Sequence, residues 1–479
     1  MAAMQARAQQ DSRLGRFVET ARRAYVEFLH LPILIIAGFL LLAAATSWLD
    51  FASIGWLEDA RAAMREHMFR DGQATSNLLA TIAGGIITVT SITFSLLLLA
   101  VQQAASALTH QVYDQFVRRR VNQVYFGFFV GLAVYTLVVL GTVNPPYNPV
   151  FGATAALLLT IAALVLMILL LYTTLNQMRP VVVIETIHDH VLAAWDRHRE
   201  LVRRTRREAQ GGAGTVTQVR ADAHGYVVRV ELDVLAKAAS AAGGEIEIVL
   251  PMAIGHYVAF QDVLAHVRTT DAQDAPALAQ AVRAAVRLEQ QRDLDTDPAY
   301  GIDQLETIAW TSVSTAKSNP SPGIMVLHSL RDLMARWCAE AAQDDTEAAT
   351  PGSVPAVYQD NVIVKLLDAF ETLAVVASES MQPQTMASAM RCFAQMFERL
   401  PAPQRDHAED LVRRCLSALG EHVLTAELES ALSELARALD AAARQATATE
   451  VRSARDALGA AIGKLNSRAT RVSAARAAA

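Results

Sequence analysis

The chain has 479 residues with 42 Lys or Arg and 48 Asp or Glu, a net charge of −6 and a charged fraction of only 19 %. Three runs contain no Asp, Glu, Lys or Arg at all: Phe28–Leu49, Gly72–Tyr113 and Val121–Met178, of 22, 42 and 58 residues. The surface of a soluble domain needs solvation and does not leave such stretches uncharged, so a wholly soluble enzyme, a disordered chain and a coiled coil are excluded. Residues 1–178 hold 11 basic and 9 acidic side chains and residues 179–479 hold 31 and 39. That acidic excess is the wrong sign for nucleic acid, which requires a basic face. Cys338, Cys392 and Cys415 form no C-x-x-C pair, so they read as buried apolar thiols, not as a zinc or disulfide framework.

A bilayer core takes about 20 apolar residues per helix. After an N-terminal tail, 1–30, the first span is expected over 31–49 and the second over 77–104. The longest run must hold two spans, 124–143 and 151–175, because Asn144-Pro145-Pro146-Tyr147-Asn148-Pro149 is a turn that no continuous helix passes. The tail carries five Arg and the loop after the second span carries Arg118, Arg119 and Arg120, whereas the Pro-rich turn carries none. By the positive-inside rule the four-span membrane domain, 31–178, has both chain termini in the cytoplasm, in a bacterial inner membrane.

Beyond the last span, 179–210 reads as a basic juxtamembrane helix lying against anionic headgroups. Residues 216–300 change period: Tyr226–Glu231, Glu245–Leu250, His256–Phe260 and Val263–Arg268 read as strands, with a helix over Leu232–Ala242. This is a small α+β domain. From 301 to 468 the spacing is helical. Met386, Met390, Phe393, Phe397 and Leu400 form one apolar stripe, and Leu424, Leu428, Leu432, Leu435 and Leu439 another. A tail, 469–479, closes the chain. The expected fold is therefore a four-span α-helical membrane protein with a cytoplasmic α+β domain and a C-terminal helical bundle.

Candidate chemistry is sparse. In the second span Thr81, Gly84, Thr88, Ser91, Ser95, Gln102 and Ser106 step by 3, 4, 3, 4, 7 and 4, so all seven share one helix face. Hydroxyls and amides on one face suit a water-lined pore; the same small and polar residues also suit close helix packing. Gly127 and Gly131 make a Gly-x-x-x-Gly step, a helix-contact signal. Asp293, Asp295 and Asp297 alternate, as oxygen ligands of a metal can, or as an acidic turn at a helix start does. Glu185, His188 and Asp189, with His190 and His198 nearby, have the spacing of ligands on one helix turn. No P-loop, H-E-x-x-H, G-x-S-x-G or dinucleotide fingerprint occurs, so no catalytic residue or cofactor is assigned.

Three segments resemble the bacterial family of predicted membrane proteins called domain of unknown function 2254. The first runs from Thr93-Phe94-Ser95-Leu96 through Arg118-Arg119-Arg120-Val121-Asn122-Gln123 to Tyr135-Thr136-Leu137. The second is Gly225-Tyr226-Val227 followed by Gly255-His256-Tyr257-Val258. The third is Arg292-Asp293-Leu294-Asp295-Thr296-Asp297-Pro298, leading to Ser318-Asn319-Pro320. The resemblance covers roughly residues 25–400 and marks Arg118, Asn122, Gln123, Arg292, Asp297 and Pro320 as motif positions. Asp293 and Thr296 stand where the family usually has Thr and Gln, and Ser318-Asn319 where it has Asn-Asp. The resemblance implies the multi-pass architecture and brings no activity with it. Three functional readings stay open: a homo-oligomeric pore or its regulator, controlled by a ligand or protein at the cytoplasmic part; a non-conducting scaffold or sensor; and a membrane-tethered, metal-dependent enzyme. In all three the bilayer is the one certain partner, and nucleic acid is not expected.

Overall fold

The computed structural model describes residues 29–52, 55–67, 69, 71–107, 120–144, 147–177, 179–315, 319–344, 354–420 and 422–461. Residues 1–28, Arg118, Ser318 and the tail 469–479 lie outside them. The chain divides into two compact units, Met1–Arg179 and Pro180–Ala479.

The first unit holds α1 (His30–Phe51), α2 (Gly55–His67), α3 (Gly72–Ala107), α4 (Arg120–Thr142) and α5 (Val150–Gln177). Helices α1, α3, α4 and α5 are long and apolar enough to cross a membrane. Helix α2 occupies the stretch expected as a loop. Its Arg61 donates to the carbonyls of Leu49 (2.9 Å) and Ala52 (3.0 Å), closing the end of α1, where helix carbonyls lack partners. Helix α4 is central because its glycines let α1 approach. A Cβ on Gly127 would lie 2.9 Å from Ile35 and Pro32, and one on Gly131 would lie 2.3 Å from the Phe39 ring. Polar ties fix one end of this bundle. Asp50 accepts the backbone N–H groups of Phe151 (3.1 Å) and Gly152 (3.3 Å) at the start of α5, Tyr135 donates to the Gly152 carbonyl, and Asn148 donates to that of Phe69. The start of a helix has N–H groups without partners, and a carboxylate there is favoured by the helix dipole.

The second unit opens with α6 (Pro180–Arg204), followed by β1 (Thr215–Arg220), β2 (Gly225–Val230), α7 (Leu232–Ala241), β3 (Ile246–Leu250), β4 (Tyr257–Val258) and β5 (Val263–Thr269). Next come α8 (Ala275–Ala285), β6 (Val286–Glu289), α9 (Pro298–Val313), α10 (Pro320–Asp344) and β7 (Ala356–Tyr358). The chain ends in α11 (Val362–Glu379), α12 (Pro383–Phe397), α13 (Ala402–Ala418), α14 (Ala426–Ala441) and α15 (Gln445–Ala460). The strands form two sheets, β1-β5-β3-β7 and β4-β2-β6, antiparallel except for the β3–β7 pair. Strand β7 comes from within the segment expected to be helical, so one sheet draws on both halves of this unit. Valines and leucines of both sheets meet α7 and α8 in one apolar core around Val227, Leu235, Ile248 and Val282.

Helix α6 covers most of the stretch expected as a basic juxtamembrane helix. Its stripe of Val183, Ile184, Ile187, Val191, Ala194 and Leu201 is buried against α9 and α10. Two of its arginines pair with acidic side chains of the same unit: Arg204 with Asp233 (2.5 Å) and Arg199 with Glu340 (3.7 Å).

Overpacking a tight contact costs about 1–3 kcal/mol, so Gly131→Leu is expected to lower the thermal unfolding temperature of the detergent-solubilised protein clearly. Gly84, where a Cβ meets nothing within 4 Å, should accept Ala with no loss. Equal effects of the two changes in a thermal melt would refute the packing described here.

Candidate functional site

Two places collect the residues marked by the sequence. The first is the outer face of α3. The residues of α3 that turn inward are Thr75, Leu79, Ile82, Ala83, Ile86 and Leu97. Thr81, Gly84, Thr88, Ser91, Ser95 and Gln102 are exposed, and the side chain of Ser106 lies outside the described residues. At 100° per residue the polar stripe centres about 170° from the buried face. The spans therefore pack through the apolar side of α3 and leave its polar side outward. Three of its hydroxyls are satisfied within the helix: Thr81 donates to the Asn77 carbonyl (2.8 Å), Thr88 to that of Gly84 (2.8 Å) and Ser95 to that of Ser91 (2.9 Å). Beside the stripe α3 also exposes Ile87, Ile92, Leu98 and Leu99, and the outer side of α5 is aliphatic throughout, with Leu158, Ile161, Leu164, Val165, Ile168 and Leu169 exposed.

The second place is the turn ahead of α9. Asp297 is only 2 % exposed; its Oδ1 accepts the Tyr300 N–H (3.0 Å) as the cap of α9, and its Oδ2 accepts from Arg292 Nε (2.7 Å). Arg292 also donates to Asp303 (2.5 Å) and lies 4.8 Å from the centre of the Tyr300 ring, while Lys365 of α11 reaches Asp303 at 2.7 Å. Burial alone would lower the Arg292 and Lys365 pKa values; Asp297 and Asp303 outweigh it, and both cations are held above their ordinary range. Gly255, at φ +84°, lies against this pair, and a Cβ there would meet Asp297 Oδ2 at 2.3 Å. Asp293 turns to its own loop, accepting from the Asp295 N–H (3.1 Å) and the Thr296 hydroxyl (3.2 Å). Asp295 pairs with His190 at 3.3 Å.

With both places defined, comparison with known proteins adds a family. Residues 26–393 match the family described as predicted membrane protein, domain of unknown function 2254. The chain belongs to this family. It is 23 % identical over 288 residues to an uncharacterized protein of Mycobacterium bovis and equally to one of Mycobacterium tuberculosis, covering 58 % of this chain. The chain spans about half (55 %) of the length of these curated relatives. No solved structure matches.

The family segments have local structural roles. Gly255 of the second segment lies against Arg292 and Asp297 of the third, and the contact requires a residue without a side chain. In the first segment, Phe94 of α3 meets Phe126 of α4 edge to face at 5.3 Å, and Asn122 and Gln123 are buried in α4. Pro320 begins α10. Among the described residues no group of three or more His, Cys, Asp or Glu is arranged to hold a metal. The histidines of α6 also diverge: His188 goes to Ser329 (2.8 Å) and Asp332 (3.3 Å), His190 to Asp295, and His198 to Asp360 (3.1 Å). Arg292, Asp297 and Gly255, inside the family segments, pointed to this cluster; Lys365, like Asp360 beside His198, carries no spacing signal as a single charged residue.

Removing one partner of a buried ion pair strands the other charge and costs about 3–5 kcal/mol. Arg292→Ala is therefore expected to destabilise the second unit strongly, and Gly255→Ala to do so as well. Chemical denaturation of the full chain tests this, and unchanged midpoints would show that the cluster is not structural. Burial pushes the Cys338 thiol up to about 11 and those of Cys392 and Cys415 to about 12. The thiolate is the reactive form, so iodoacetamide at pH 8 should modify none of the three until the protein is unfolded; rapid modification of the native protein would contradict their burial.

Proposed function

We propose that this membrane protein is a homo-oligomer of the bacterial inner membrane in which the outer face of α3 lines a conduit between copies, governed by the cytoplasmic unit that follows Arg179. The observation that carries this reading is the position of the polar stripe. A stripe of Thr, Ser, Gly and Gln opposite the packed side, flanked by the exposed Ile87, Ile92, Leu98 and Leu99, is a poorer match for acyl chains than the unbroken Leu and Ile face of α5. Membrane helices associate through small and hydroxyl-bearing residues, and neutral polar groups can solvate a permeating ion or solute. The scaffold reading calls for the stripe inside a monomeric bundle, and the stripe faces outward. The Arg-rich tail and Arg118–Arg120 support cytoplasmic termini.

A dry seam between copies is the second reading. It is favoured by the back-bonding of Thr81, Thr88 and Ser95 to their own helix, which leaves their donors no demand for water. The metal-enzyme reading draws no support from Asp293, Asp295 and Asp297, whose carboxylates are engaged in the turn, with His190 and with Arg292.

Native mass spectrometry and planar-bilayer recording of the purified full chain test the proposal together. Assemblies of two or more copies with measurable conductance are expected, and Ser91→Leu with Ser95→Leu should reduce that conductance at least several-fold. A folded monomer that is silent across ions and voltages would overturn the proposal.

A further inference from the structure

Between α10 and α12 lies a groove of about 510 Å³, within the size range of small-molecule sites. Its floor is apolar: Met334, Cys338 and Met396 are buried there. Arg331 and Arg399 stand over that floor. Arg331 donates to Gln395 across the groove (2.5 Å), and neither arginine has an ion-pair partner among the described residues. Nearby charges are matched instead: Arg391 pairs with Glu434 (3.5 Å), and Asp332, the one carboxylate on the rim, is held by Arg336 (2.6 Å) and faced by His188 (3.3 Å). Burial, with Arg331 and Arg391 adding to it, holds the neighbouring His328 below the ordinary imidazole range.

We infer that this groove binds a small organic anion with an apolar body, its carboxylate or phosphate held by Arg331 and Arg399 and its hydrocarbon lying over the edges of Cys338 and Met396, beneath which Met334 is wholly buried. Guanidinium groups recognise such oxyanions through paired, charge-assisted hydrogen bonds, and a floor of two methionines and a protonated thiol adapts to varied apolar shapes. The occupant would adjoin Asp332, which faces His188 of α6, the helix that follows the last span in the chain. The inference names a ligand class for the second unit and stands whether or not the protein conducts.

The test uses the full chain in nanodiscs of neutral phosphatidylcholine, titrated calorimetrically with 3-phenylpropionate and with phenyl phosphate, against empty nanodiscs as blank. The cation 3-phenylpropylammonium serves as the control for charge sign. Saturable binding of at least one of the anions, at one per chain, is expected. Arg331→Ala and Arg399→Ala should each weaken it about tenfold, the scale of one charged hydrogen bond, and Cys338→Trp should block it. The arginine variants, at positions outside the buried core, should keep the wild-type circular dichroism. Failure of both anions to bind, equal binding of the ammonium compound, or unchanged binding by the folded double variant R331A/R399A would overturn the inference.

Discussion

Hydrocarbon offers no hydrogen-bond partner, so every polar group placed in it must be satisfied by the protein. The first unit is organised around that requirement. Arg61 of α2 closes the carbonyl end of α1, Asp50 caps the start of α5, and Tyr135 joins Thr46 to the Gly152 carbonyl. The same rule explains how α3 carries hydroxyls outward at all, for Thr81, Thr88 and Ser95 each spend their donor on a carbonyl one turn back. Between the exposed Ile92, Leu98 and Leu99, what remains on that face is a line of acceptors, small side chains and the amide of Gln102. These cost little beside another polar surface and gain little from acyl chains.

The second unit meets a different demand, the burial of charge inside a packed core. Arg292 answers it by binding Asp297 and Asp303 while its guanidinium lies over Tyr300. The alternating aspartates thus divide their work, Asp297 in a buried pair and helix cap, Asp293 in a turn, and Asp295 beside His190. Family membership is consistent with this view of the motif as framework: its glycine at 255 is required by a contact with the Arg292–Asp297 pair and by a positive φ. The groove under Arg331 and Arg399 differs, because two cations stand over an apolar floor without carboxylates of their own.

Much of the fold is legible in the sequence, for identifiable reasons. Absence of charge marks the four long apolar helices, and the Pro-rich segment between Asn144 and Tyr147 separates the last two. The strands β2, β3 and β5 show in their alternation, and the helix α7 in the change of period between them. Helix α2 was hidden because it is short and charged, and β7 because three residues carry no period. The apolar stripe of α6 is equally visible, but its partners α9 and α10 lie more than 90 residues further along the chain and no local pattern names them. For the site, periodicity revealed that the polar residues of α3 share a face but not which way that face turns. In a soluble helix the polar side is outside by default; in a membrane the default is lost, and only the packing of Leu79, Ile82 and Ile86 against the other spans settles it.

The central claim is that the polar face of α3 meets water, and accessibility along the helix tests it most directly. Single cysteines at Thr88, Ser91 and Ser95 would be compared with single cysteines at Ile161 and Ile168 of α5, using a membrane-impermeant methanethiosulfonate on the assembled protein in lipid. The account predicts modification at the three α3 positions and none at the two α5 positions. Stripe positions as unreactive as those of α5 would contradict it.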